Sequence, residues 1–288
     1  MQSVRLADLE NGIIDMKLAT IRTAQGNTLA RESEGELLLY PFSDVGAWLQ
    51  AGSPELVDGE ETARLSAESA DFAPVVPAPG KIVCVGLNYR EHILEMGREL
   101  PERPTLFAKY PDALIGANDP IILPPGSEAV DWEAELTIVL GSTVSRASSD
   151  EAAAAIAGYT VANDISARDF QRFTPQWLQG KTFDDTTPLG PYVVTVDELG
   201  LNPDLQLDCV IDGKTKQSSQ TADLVFDPTE LVRYISQITT LRAGDIILTG
   251  TPGGVGDGRS PKEFLTEGST VTTSITSIGT CTNTCATR

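Results

Sequence analysis

Residues 130–141 read VDWEAELTIVLG, and the fold turns on whether that stretch is a surface strand or the mouth of a core. In an extended chain side chains alternate, so Glu133 and Glu135 leave one face while Trp132, Ala134, Leu136 and Ile138 leave the other. Alone, the pattern fits an ordinary strand with one solvated face. Val139 and Leu140, however, make both faces apolar at the far end, so the strand runs into a core. Two neighbouring carboxylates at the mouth of such a strand repel each other and want a cation.

Around it, other strand-like runs dominate: KIVCVGL, PIILP, YTVAN, PYVVTV, LQLDCVIDGK, DIILTG and STVTTSITSI. Asp212-Gly213 marks a tight hairpin. Helices are few. The spacing predicts one over Ser149 to Ala157 and one over Pro228 to Ile238, the latter with Asp227 as N-cap, Pro228 in the first turn and Glu230 at the capping-box position. Strands and helices do not alternate, which disfavours a doubly wound sheet and predicts a mainly β, α+β catalytic domain. Ahead of it, residues 16–41 read as a small meander, FSDVGAWLQAG as one short helix, and Pro74, Pro77 and Pro79 as an extended connection. The sequence therefore divides into a small β-rich N-terminal domain, 1–75, and a catalytic domain, 76–288.

Composition excludes some functions. With 21 basic and 41 acidic residues the net charge is -20, which repels nucleic-acid phosphates and anionic lipid, so neither nucleic acid nor membrane is an expected partner. No apolar run has the length of a transmembrane helix, and MQSVRLADLENG carries charges where a signal peptide needs apolar residues. The expectation is a cytosolic protein. The four cysteines are too scattered for a disulfide framework, and Cys281 and Cys285 lack the second ligand pair of a closed zinc site.

A third carboxylate, Asp164, follows the strand-like GYTVAN. Were the chain helical from there, Asp164, Arg168 and Gln171 would share one face; in isolation Asp164 reads first as an N-cap. Joined with Glu133 and Glu135 it makes an all-oxygen set suited to Mg2+ or Mn2+. The chain has a single histidine, His92, with Glu95 three residues later. The glycine-rich TGTPGGVGDG lacks the G-x-G-x-x-G order and is read as a turn presenting Thr251 to a carboxylate, not as a dinucleotide loop.

These blocks, VCVGLNYREH, LIGANDPIILP, VDWEAELTIVLG, GYTVANDISARDFQ, GKTFDDTTPLGPYVVT and AGDIILTGTPGGVG, occur in that order. From about Lys81 to Gly256 the chain resembles the fumarylacetoacetate hydrolase superfamily, acylpyruvase-like branch; residues 1–15 and the tail CTNTCATR lie outside the resemblance. The resemblance implies a mixed β-roll, usually in a homodimer, with Mg2+ or Mn2+ on Glu133, Glu135 and Asp164. It implies that His92 and Glu95, on a short lid helix, activate water, that Lys181 is the active-site lysine, and that Arg168, Gln171 and Thr251 hold substrate or support the metal shell. Three carboxylates on one divalent ion leave a net negative site, so a keto-acid substrate would need the lysine's charge.

The function expected on that basis is hydrolysis of a carbon–carbon bond in an acylpyruvate, such as fumarylpyruvate, with release of pyruvate. The alternatives are decarboxylation of oxaloacetate or isomerisation of 2-hydroxyhepta-2,4-diene-1,7-dioate, which need no attacking water, and a non-catalytic acidic β-domain that binds divalent ions.

Overall fold

The computed structural model describes residues 16–57, 59–95 and 97–288. Two large sheets and a two-stranded ribbon, Val130–Asp131 with Ser166–Ala167, organise them. In the larger, neighbouring strands run Ala63–Ser66, Glu36–Tyr40, Gly26–Ser33, Lys17–Thr23, Thr187–Thr195, Ile156–Asn163, Ala134–Leu140, Ile246–Leu248, Ile82–Gly86 and Thr105–Lys109. The smaller runs Lys214–Gln220, Gln206–Ile211, Thr270–Ile275, Gly279–Ala286 and Ile121–Ile122. The architecture is mainly β with few helices, as the irregular spacing of strand and helix signals implies.

The strand Ala134–Leu140 is buried at every position. Leu136 and Ile138 pack with Leu207, Cys209 and Val271 of the second sheet, whereas Val139 packs on the other side with Trp48, Leu189 and Ile246. Both faces being covered explains the apolar run at its far end. A charged residue on this strand has no water to turn to, so Glu135 must find partners within the protein.

The proline-rich connection near residue 75 separates two stretches of sequence but not two sheets. Lys17 and Leu18 pair with Val194 and Val193, so the N-terminal meander extends the larger sheet, and Leu18, Leu29 and Trp48 share one apolar cluster with Val139 and Ile246.

The helix predicted to run to Ala157 ends at Ala154, because Ile156 already pairs with Leu140 in the sheet; its start is a full capping box between Ser148 and Glu151. The helix Pro228–Ile238 matches its prediction. There Asp227 caps the Glu230 N–H, but the Glu230 carboxylate turns to Arg233 and leaves the box half made. The hairpin at Asp212 and Gly213 has positive φ at both residues, 48° and 75°. The tail is an integral strand, Gly279–Ala286, that turns Cys281 and Cys285 into the core.

Candidate active site

The strand Ala134–Leu140 carries Glu135, Glu133 just before it lines a cleft of about 410 Å3, and the strand Ile156–Asn163 delivers Asp164 beside them, where Asp164 N–H donates to Glu133 O at 2.8 Å. One carboxylate oxygen from each of the three lies within 4.8 Å of the others, a spacing at which two unit charges repel by roughly 3–4 kcal/mol at an effective dielectric of about 20. All three residues are buried. Such a cluster persists only if cations answer it.

Three do. Lys181 Nζ lies 2.7 Å from Glu133 Oε2 and 2.8 Å from Asp164 Oδ2. Lys109 Nζ lies 2.6 Å from Asp164 Oδ1, and Arg168 Nη2 2.6 Å from Glu133 Oε1. Burial opposes the charge on Lys181, but Asp164 and Glu133 outweigh it and hold the ammonium protonated. Arg168 is likewise buried, and Glu133 and Asp131 keep its guanidinium charged. For Asp164 burial pushes the carboxyl up, and the two lysines override it and draw it below its ordinary range. Glu135 is the exception. Burial first, then Asp164 and Glu133, push it well above the ordinary carboxylate range, against partial relief from Lys181 and from Gly250 N–H, which donates at 2.7 Å.

This residual frustration is what a hard divalent cation would relieve. The donors are carboxylate oxygens, and among the described residues no histidine or cysteine joins the cluster. Each oxygen already bonded to a lysine keeps a lone pair for a metal. The residues present therefore fit Mg2+ or Mn2+.

Asp131, not singled out in the sequence, completes the charge pattern. It accepts from Arg168 Nε at 2.8 Å and from the backbone of Trp132, Gly256 and Asp257. Its signal was present, since Asp131, Glu133 and Glu135 alternate in VDWEAEL. Lys109 had none: a lysine ending the strand Thr105–Lys109 looks solvated until the fold buries it. Four carboxylates thus face three cations. The lysine charge that three carboxylates on one divalent ion call for is present in Lys181, and with Lys109 and Arg168 added, a divalent ion on the ionised triad would leave one positive charge in surplus.

His92, Glu133, Arg168, Gln171, Lys181 and Thr251 all line the cleft. His92 is half-buried on the helix Arg90–Glu95, whose base is fixed by Asn88, bonded to Phe226 and Thr249, and by Asp223, which accepts from Glu91 N–H at 3.0 Å. The side chain of Glu95 lies outside the described residues.

Three details differ from the sequence reading. The helix begins at Arg168 after a short strand, so Asp164 neither caps it nor shares its face. Arg168 is no free substrate arm: besides its two carboxylates it donates from Nη1 to Gln171 Oε1 at 3.1 Å. Thr251 faces no carboxylate, since its hydroxyl donates to Ala134 O and accepts from Gln217 Nε2, while the neighbouring Gly250 N–H meets Glu135. Backbone donors were invisible to a reading of side chains.

Lys181 ends the helix Leu178–Lys181, which lies against Ala167 and Gln171 so tightly that a Cβ on Gly180 would meet Ala167 O and Gln171 N at 2.5 Å. Beside it Phe107 meets Trp177 edge-on at 5.4 Å and offers its ring face to Lys181 at 5.1 Å. Among the described residues no helix is long and apolar enough to cross a membrane.

Comparison with known proteins agrees with this geometry. Oxaloacetate tautomerase FAHD2A, mitochondrial, of Bos taurus is 46% identical over 210 residues, 72% of this chain and 67% of that protein. The fumarylacetoacetate hydrolase of Exiguobacterium antarcticum superposes with a TM-score of 0.87 at 29% identity, covering 95% of this chain and all of that one. The 2-hydroxyhepta-2,4-diene-1,7-dioate isomerase of Mycobacterium marinum does so with 0.78 at 32% identity, covering 95% and 99%. The model of the fumarylacetoacetate (FAA) hydrolase C-terminal family matches residues 81–286, a span that holds the carboxylate triad and all three of its cations, and the chain belongs to that family.

Proposed function

We propose that this protein is a divalent-metal-dependent enzyme that moves a proton next to the keto group of a small 2-oxo diacid, with keto–enol tautomerisation of oxaloacetate as the best-supported reaction. The observation that carries the reading is the charge of the cleft. With a divalent ion on Glu133, Glu135 and Asp164 the cluster has a surplus positive charge, which suits an anionic acid whose enolate adds negative charge as it forms. The similarity to an oxaloacetate tautomerase favours this outcome over acylpyruvate hydrolysis.

The bound ion would supply Lewis acidity toward the 2-oxo group. Lys181 is held charged and pinned by two carboxylates, so it cannot act as a base; it meets the charge that develops on the enolate oxygen. Arg168 and Lys109 hold Glu133 and Asp164 in place. His92, the chain's one imidazole, lines the same cleft and carries the proton to and from carbon, since an imidazole nitrogen can both accept and donate a proton. Phe107 and Trp177 limit water beside Lys181.

The test is decay of the enol absorbance of oxaloacetate, with Mg2+ or Mn2+ and with EDTA. Catalysis that chelator abolishes and metal restores supports the reading; full activity in EDTA sinks it. Hydrolysis of an acylpyruvate is the second reading, favoured by His92 in the cleft wall, where the same imidazole could activate water, and pyruvate release from fumarylpyruvate measures it. A homodimer, expected from the resemblance, is tested by sedimentation. Cytosolic residence is tested by fractionation, against the mitochondrial location that the animal relative's name states.

A further inference from the structure

The geometry points to Arg259 as the residue that selects dicarboxylic over monocarboxylic keto acids, by binding the carboxylate remote from the metal triad. This rests on the reading that the cleft takes a 2-oxo diacid.

Apart from His92, the cationic side chains in the cleft wall are Arg168, Lys181 and Arg259. The first two are committed, since each lies within 2.8 Å of buried carboxylates that would lose their counter-charge if it swung away. Arg259 is held differently. Its Nη2 donates to Lys216 O at 2.8 Å and its Nε to Gly254 O at 3.3 Å, both neutral acceptors. Its acidic neighbour Glu263 stands 3.7 Å from Nη1, is partly exposed and is itself bonded to Lys216. An exposed pair at that distance engages little of the charge. Asp257, the other acid in this part of the wall, is already paired with Arg172 and Lys262. Arg259 is thus a guanidinium oriented by two carbonyls, with donors left for an incoming anion.

The clamp also explains a motif that catalysis leaves unused. In TPGGVGDG, Gly254 has φ +99°, and a Cβ there would lie 2.1 Å from Lys216 O. Glycine lets this turn close on the strand Lys214–Gln220 and bring both carbonyls to one side chain. A guanidinium fixed before binding loses little rotamer freedom when it grips a carboxylate through two parallel hydrogen bonds. Lysine would offer the charge without the fork.

The experiment uses Mg2+-saturated protein and two stable probes, 2-oxoglutarate and 2-oxopentanoate, which differ only in a terminal carboxylate against a methyl group. Calorimetry gives Kd for each, and enol decay gives KM for oxaloacetate. Wild type binds the diacid more tightly. Arg259→Gln weakens 2-oxoglutarate and raises the oxaloacetate KM by on the order of tenfold to a hundredfold, the usual worth of hydrogen bonds to a charged group. It leaves 2-oxopentanoate within about twofold, and Arg259→Lys falls between. Equal weakening of both probes, an unchanged preference in Arg259→Gln, or no preference in wild type overturns the assignment. An Arg259-dependent preference without turnover of oxaloacetate retains the assignment and removes the tautomerase reading; turnover with KM unaltered in the variant does the reverse.

Discussion

Lys109 and Asp164 form a buried ion pair, Nζ to Oδ1 at 2.6 Å, with both side chains fully enclosed. Lys181 holds the other oxygen of the same carboxylate. Asp164 is therefore gripped from two sides, which fixes the plane of its carboxylate toward Glu133 and Glu135.

Replacing Lys109 by Met leaves Asp164 with one counter-charge. Breaking a buried pair from one side costs about 3–5 kcal/mol, and denaturant unfolding in EDTA should show a loss of that order. Mg2+ should recover part of it, because the cation answers the exposed carboxylate, so the metal-induced rise in Tm is larger in the variant than in wild type. An equal rise in both proteins would assign Lys109 to the sheet alone.

Glu135 sets a pH dependence whose sign is fixed. Its folded carboxyl is raised, chiefly by burial and then by Asp164 and Glu133, so without metal it keeps a proton that the unfolded chain releases near pH 4.3, or about its ordinary value. The folded state binds more protons there, and this group's contribution to stability falls as pH rises from about 4.3 toward the folded pKa. Asp164 acts oppositely: drawn down by its lysines, it stabilises above its ordinary value and loses that contribution as pH falls through the folded pKa. A divalent ion needs Glu135 ionised. Its binding should release a proton and strengthen with pH across the same window, which calorimetry in buffers of different ionisation enthalpy reads directly. Binding heats that do not depend on the buffer would show that Glu135 enters the site already ionised.

Gly180 tests how the active-site lysine is placed. A methyl group there meets backbone on two sides at 2.5 Å. Gly180→Ala should push the helix Leu178–Lys181 off Ala167 and Gln171, costing about 1–3 kcal/mol by overpacking. As the shift carries Lys181 from Glu133 and Asp164, kcat should fall at least tenfold, or about the effect of losing one charged hydrogen bond. Full activity in a destabilised variant would show that Lys181 tolerates displacement.

His92→Ala separates the reactions the cleft can host. Tautomerisation needs a proton carrier at carbon and hydrolysis needs activated water, so both should fall by roughly 10²–10⁴. Decarboxylation of oxaloacetate needs neither, and should survive with metal affinity intact. Equal loss of all three activities would mean that His92 holds its helix in place.

Much of this was legible in the sequence. Alternation put Glu133 and Glu135 on one side of a strand, the apolar run beyond them required burial on both faces, and the ordered motif blocks joined Asp164, Lys181 and His92 to the same site. Local signals of turn and cap placed the hairpin at Asp212-Gly213 and the helix start at Asp227, whereas the long-range pairing of strands had no local signal. What tertiary structure alone decided was the partner of each buried charge. Lys109 lies 55 residues before Asp164, and nothing in LFAKYP tells a solvated lysine from one enclosed beneath a sheet. Gly250 serves Glu135 through a backbone N–H that no side-chain pattern reports. The sign of the site's charge, and with it the kind of substrate the cleft favours, depends on these long-range contacts, because a buried carboxylate is compensated by whatever the fold brings within 3 Å and not by its neighbours in sequence.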